Sequence, residues 1–265
     1  MPVSPGEKVM TSSFVLTSRQ PHPEAAEWEA RLALLGRFHL EIRSRRVAIG
    51  PSVQRLLALL ALHSEGVTRP SVASTLWPDL PVRRAGASLR STLWRLSRSS
   101  GEDRLVDADD SCLALAPTVG VDLHLAERHA ASLVSSQEPG PVPLPVLAEL
   151  DEDLLPDWTE DWLLVAREHF RQTRLHALEA VSRRLRDGGR LAAAMETAMM
   201  AVEAEPLRES AHRHVVDVHL AEGNVAEALR HYEFFRRMLR NELGLGPSSG
   251  FRRLVAPYLS RPLDP

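Results

Sequence analysis

Two segments of the chain, DGGRLAAAMETAMMAVEAEP at 187–206 and AEGNVAEALRHYEFFRRMLR at 221–240, echo one another at an offset of 34 residues. Gly189 aligns with Gly223, Leu191 with Val225, Ala194 with Ala228, and Ala198 with Tyr232. A period of this length marks helix pairs stacked side by side, each pair one unit of a shared core. Small residues at the aligned positions let the helices of a pair approach closely. Pro206 falls where the second helix of a unit has to end, since proline removes a helical N–H. Two such units cannot close a solenoid core alone, so flanking helices such as WLLVAREHFRQTRLHAL (162–178) are expected to complete it.

The tetratricopeptide-like half is preceded by a different pattern. Residues 1–27 are rich in Pro, Ser and Glu without apolar periodicity, which reads as a flexible arm. RLALLGRFHLEI and then VAIG read as short strands of a small antiparallel sheet. PSVQRLLALLALHSEG follows, with Pro51 placed to start a helix and Gly66 to end it, then TRPSVASTLWPD as a shorter helix stopped by Pro78. A third helix spans about Val82 to Ser99 before Gly101. Leu105-Val106 and Cys112–Leu115 flank the turn-forming DADDS as a hairpin. Sheet, three helices and hairpin make a winged helix-turn-helix. The expected organisation is an arm at 1–27, a winged-helix DNA-binding domain at 28–117, and an all-α helical repeat domain at 118–265. The fold class is thus mainly α with a small β component. QEPGPVPLPV (137–146) is expected to be an extended loop, being too proline-rich for a helix.

The third helix carries the functional signal. Arg83, Arg84, Arg90, Arg95 and Arg98 lie within or beside it, and it contains no acidic residue. At 100° per residue, Ala85, Gly86, Thr92, Leu93 and Leu96 fall within about 60° of Leu89 and form a packing stripe. The five arginines share the opposite face with Ala87, Ser91 and Trp94. An ordinary solvated helix face interleaves carboxylates as i,i+4 partners of its bases. A helix entering a DNA major groove instead needs small residues for close approach and arginines for phosphates and guanine edges.

Charge is distributed to match. The chain sums to −3, with −2 over residues 1–30, +4 over 31–130 and −5 over 131–265. The single cysteine, Cys112, excludes an intrachain disulfide and a multi-cysteine zinc site, which points to a reducing, cytoplasmic setting. No signal peptide and no apolar run of membrane-spanning length is evident, so no membrane partner is expected. HRHVVDVH is the one histidine-rich stretch, but His212 and His219 stand two helical turns apart, too far to share a metal. They read as packing and surface residues of the repeat. Cys112 in a strand reads as core, and no catalytic triad context is present. Neither an enzyme nor a cofactor is expected.

ASLRSTLWRL, preceded by LWPDLP and followed by the hairpin, resembles the OmpR-type winged helix of the Streptomyces antibiotic regulatory protein family. VDLHLAERHAA, LLPDWTEDWLLVAREHFRQTRLHAL and EAEPLRESAHRHVVDVHLAEGNVAEALRHYEFFRRMLRNELGLGPS resemble that family's bacterial transcriptional activator domain. The resemblance covers roughly residues 31–260, and no GxxxxGK[ST] phosphate loop accompanies it. It implies a small, nucleoid-associated activator that binds direct repeats in promoter DNA as a homodimer and recruits RNA polymerase to genes of secondary metabolism. The DNA contacts then fall on Arg83, Arg84, Ala87, Arg90, Ser91, Trp94, Arg95 and Arg98, with Arg90 and Arg98 placed ahead of Trp94, whose alternative is to pack under the hairpin or the neighbouring helix. Arg104 at the base of the hairpin is expected to reach a phosphate, because the acidic turn DADD disfavours deep insertion of the wing. The competing reading is a repeat-type protein-interaction scaffold with no specific DNA binding.

Overall fold

The computed structural model describes residues 28–101, 103–135 and 144–259. The expected arm at 1–27 lies outside them. Three strands, β1 (Ala30–Ala33), β2 (His39–Ile42) and β3 (Arg45–Val47), form an antiparallel meander. The β2–β3 turn uses only Arg43 and Ser44, both in the left-handed region at φ 48° and 63°. Because this turn takes two residues, the third strand begins at Arg45, earlier than the expected VAIG.

Helices α1 (Pro51–Ala61), α2 (Arg69–Leu76) and α3 (Val82–Ser100) follow in the expected order. Pro51 occupies the first turn of α1, where a missing N–H costs nothing. The helix stops at Leu62, short of Gly66, whose φ of 83° instead turns the chain into strand β4 (Val67–Thr68). The Thr68 side chain then accepts from Ser71 N and caps α2. The wing strands β5 (Val106–Ala108) and β6 (Cys112–Leu115) pair antiparallel, and β4 adds to β6 to make three strands.

The chain then returns to its first sheet. Strand β7 (Val119–Val121) pairs parallel with β1, in the register Ala30 to Val119 and Leu32 to Val121. The small sheet therefore has four strands and is mixed, where an antiparallel one was expected. Its last strand lies beyond residue 117, the end assigned to the first unit. Asp122 opens helix α4 (Asp122–Ser135), and its carboxylate accepts from Leu34 N at 2.8 Å and Leu35 N at 3.2 Å. Those two N–H groups leave β1 without strand partners, and the carboxylate satisfies them.

Helix α5 (Leu144–Asp151) corrects the expectation of an extended loop at the end of QEPGPVPLPV. Pro145 sits in its first turn, where proline is tolerated. A tethering segment follows: Leu155 N donates to Leu34 O, Gly36 N donates to Asp153 O, and a short 3-10 turn at Asp161–Leu163 leads into α6 (Leu164–Asp187). The Arg167 guanidinium donates to the carbonyls of Leu154, Leu155 and Trp158, fixing that segment against α6. As a result Leu154, Leu155, Leu163 and Phe170 are buried in one cluster with Leu32, Leu40, Leu57 and Leu96 of the first unit.

Helices α7 (Leu191–Ala204), α8 (Glu209–Ala221), α9 (Val225–Leu243) and α10 (Ser249–Leu259) complete the repeat half. The 34-residue offset is structural. Gly189 and Gly223 both take left-handed φ values, 73° and 80°. Arg190 N donates to Leu185 O, and Asn224 N to His219 O, each at 2.8 Å, so both helix ends close in the same way. Ala194, Ala198 and Ala228 are wholly buried, and Tyr232 nearly so. Helix α7 ends at Ala204, just before Pro206.

Candidate nucleic-acid interface

Helix α3 divides as its periodicity requires. Ala85, Leu89, Thr92 and Leu96 are buried, and Gly86 and Leu93 are half-buried. Ala85 and Leu89 join Leu56, Val72, Leu76 and Leu113 in one cluster, while Leu96 enters the neighbouring one beneath the sheet. Anchored at two points, the helix cannot roll and holds its outer face in a fixed direction. A wholly buried leucine removed to alanine costs about 2–5 kcal/mol, so Leu89 and Leu96 set the angle firmly.

The outer face carries all eight α3 candidates. Arg83, Arg84, Ala87, Arg90, Ser91, Trp94, Arg95 and Arg98 are exposed. Among the described residues none of the five arginines forms an ion pair with a carboxylate. Trp94 is 58% exposed, and the Arg98 guanidinium carbon lies 4.8 Å from its ring centre. That cation–π contact stiffens both side chains in solvent without hiding the charge. Ala87 and Ser91 leave a shallow strip between the flanking arginines, through which the helix backbone can approach a surface closely.

The ninth candidate stands differently. Arg104 Nε pairs with Asp107 at 2.8 Å, with the arginine side chain 70% exposed. It sits at the base of the wing as expected, but a phosphate would have to share it with Asp107. Part of the acidic turn has a structural role. The Asp109 carboxylate accepts from Cys112 N, Ser111 N and Ser111 Oγ. These bonds, the Cys112 amide first, hold its carboxyl below the usual carboxylate range. Asp103 is likewise matched, by Arg43 at 2.7 Å. Asp109 therefore builds the turn, and the exposed Asp110 is left at the tip.

One contact escaped the sequence reading. Arg69, the first residue of α2, donates from Nε and Nη2 to Asp109 O at 3.0 and 2.9 Å, tying the wing tip to the helix-turn-helix. The two residues lie 40 apart in sequence, and no local spacing signals the pairing.

The histidine stretch packs. His212 is wholly buried, stacked on Phe235 at 4.3 Å between ring centres, with Nδ1 2.9 Å from His231 Nε2 and Nε2 2.8 Å from Pro206 O. No group of three or more metal-ligating side chains occurs among the described residues. Cys112 is half-buried in β6. No helix among the described residues is long and apolar enough to cross a membrane.

Comparison with known proteins bears on both halves. Residues 145–257 match the family model described as Bacterial transcriptional activator domain. Regulatory protein AfsR of Streptomyces griseus is 26% identical over 260 residues, an alignment covering 93% of this chain and 27% of that protein. The chain thus spans about a quarter of the length of that curated relative. The solved structure of Mycobacterium tuberculosis EmbR, in complex with a low affinity phosphopeptide, is similar with a TM-score of 0.70 at 19% identity. That likeness covers 89% of this chain and 66% of EmbR, and it concerns the fold.

Proposed function

We propose that the chain is a transcriptional activator of the Streptomyces antibiotic regulatory protein type, as its match to the bacterial transcriptional activator domain and its similarity to AfsR support, that α3 reads the major groove of promoter DNA, and that the protein activates transcription from there. The observation that carries this reading is the exposed, acid-free arginine face of α3 on a doubly anchored helix. Guanidinium groups with no carboxylate partner give up no ion pair on meeting phosphate, and a bidentate arginine on guanine adds base selectivity. The wing, stiffened by Arg69 and Asp109, lies against the backbone without deep insertion. Residues 28–117 supply the DNA-binding surface, and β7 and α4 buttress it. Two protomers occupy direct repeats, and the repeat half presents the assembly to RNA polymerase. The genes served are those of secondary metabolism, and the protein works in the cytoplasm at the nucleoid.

The test is footprinting of the purified full-length protein on the DNA surrounding its own gene, joined to transcription with purified polymerase. Protected half-sites about 10–10.5 bp apart, or a multiple, are expected, because two subunits then share one face of the duplex. Arg90→Ala and Arg98→Ala should each weaken binding by about 1–3 kcal/mol if they contact base edges. A phosphate contact would instead lower the salt slope by about one unit. Absence of protection even at low salt rejects the reading and leaves the interaction scaffold in its place.

A further inference from the structure

A cavity of about 330 Å³ opens where the first unit meets the helical half, between the end of α1, the β6–β7 connection and the first two turns of α4. Its size lies at the lower end of small-molecule sites. Trp28, Leu115 and Val119 contribute apolar walls, and His63, His124 and Arg128 contribute polar ones.

The aromatic wall is a built feature. Gly120 has no Cβ, and the Trp28 indole occupies the space where one would be: a Cβ there would lie 1.7 Å from ring carbon Cε3. The glycine is thus required by close approach of the ring to the β7 backbone, and the indole is seated as a flat panel. On the polar side, His63 Nδ1 lies 2.8 Å from Leu59 O, and His124 Nε2 lies 2.6 Å from Ala61 O. These carbonyls belong to the last turn of α1, the negative end of its dipole. The two imidazoles cover it, and each leaves a second ring nitrogen for a ligand. Among the described residues, Arg128 is the one formally charged member of the lining, and no carboxylate lines the cavity. A panel of aromatic carbon beside an uncountered guanidinium is the complement of a flat apolar body bearing one negative charge.

We propose that this cleft binds a small aromatic carboxylate, its ring against Trp28 and its carboxylate on Arg128. The site is separate from the α3 face, and its existence does not depend on DNA binding. Its occupant would touch β6 of the wing through Leu115 and α4 through Arg128, so it spans both units.

The test uses full-length, nitrogen-15-labelled protein, with indole-3-carboxylate as probe and indole-3-carboxamide as its neutral counterpart. The carboxylate is expected to shift the Trp28 indole and Gly120 amide resonances in a saturable way. The carboxamide should bind at least tenfold more weakly, and Arg128→Gln should weaken the carboxylate by about tenfold, as loss of a charged hydrogen bond implies. Gly120→Ala should unseat Trp28 and abolish the response, and should that variant misfold, the exposed Arg128 substitution still decides. No shift at millimolar carboxylate overturns the proposal. So does an equal response to both probes that Arg128→Gln leaves unchanged.

Discussion

Arginines are used in opposite ways on α3 and on the helices of the repeat half. In the latter, Arg171, Arg174, Arg186, Arg208, Arg230 and Arg236 each meet an acidic side chain. Three of them sit three residues after a glutamate, the spacing that pairs charges along a helix surface. Others are buried or half-buried and structural. Arg174, only 4% exposed, pairs with Asp153 and donates to Glu152 O, while Arg208 joins Glu179, Gln172 and the neighbourhood of Ser210. On α3 the same side chain stands in solvent, paired with no carboxylate among the described residues. Charge already neutralised within a fold is unavailable to a partner, so the composition of a segment says less than its pairing does.

The largest break in this contrast should come from replacing Arg83, Arg84, Arg90, Arg95 and Arg98 together with glutamine. DNA affinity at 150 mM salt is expected to fall by on the order of 10³-fold or more, because several counterion-releasing contacts disappear together. Exposed substitutions away from packing leave stability within about 0.5 kcal/mol, so calorimetry should show an unchanged transition. A collapse in stability would mean that these arginines are structural after all.

The opposite result is expected from Glu179→Ala. Burial pushes the Glu179 carboxyl up, but hydrogen bonds from Arg208 and Ser210 outweigh it and hold the group below the usual range. Removing the carboxylate strands Arg208 and Ser210 at a nearly buried position, at a cost of about 2–4 kcal/mol. Denaturant unfolding should register that loss while DNA affinity of the folded fraction stays constant.

A smaller effect depends on pH. Burial, then the neighbouring His212 and His219, lower His231 to about 4, whereas an unfolded imidazole titrates near 6.5. Between these values the unfolded chain binds a proton that the folded chain does not. The stability is therefore intact above about pH 6.5 and declines as the pH falls toward 4. With solvent screening at the part-exposed ring edge, the loss should be roughly 1–2 kcal/mol. His231→Gln should flatten that part of the stability profile; an unchanged profile would remove His231 as the cause.

The mildest change tests Trp94. Trp94→Ala should weaken DNA binding by about 0.5–1 kcal/mol through the lost cation–π support of Arg98. A much larger loss would identify the indole itself as a direct contact.

Helix α3 and the repeats were legible from sequence because each rests on a local rule. One apolar stripe at 3.6-residue spacing determines which way Leu89 faces and, with it, where Arg90 and Arg98 stand. Likewise, two glycines 34 residues apart can both end a helix only by adopting the same left-handed turn. Three features had no such local signature. The β7 strand is three residues long, and its pairing with β1 depends on the chain returning across about 90 residues. Arg69 reaches Asp109 only because β4 joins the wing sheet. Helix α5 starts inside a proline-rich stretch whose composition argues against a helix, so its start at Leu144 is seen only in the fold. Sequence periodicity thus determined the outward arginine face and the repeating helices. The tertiary structure alone decided that the Asp122 carboxylate closes the end of β1, that Trp28 rests on Gly120, and that residues 153–163 bind the two halves. Those arrangements are contacts between distant segments, made only when the whole core has closed and brought them into register.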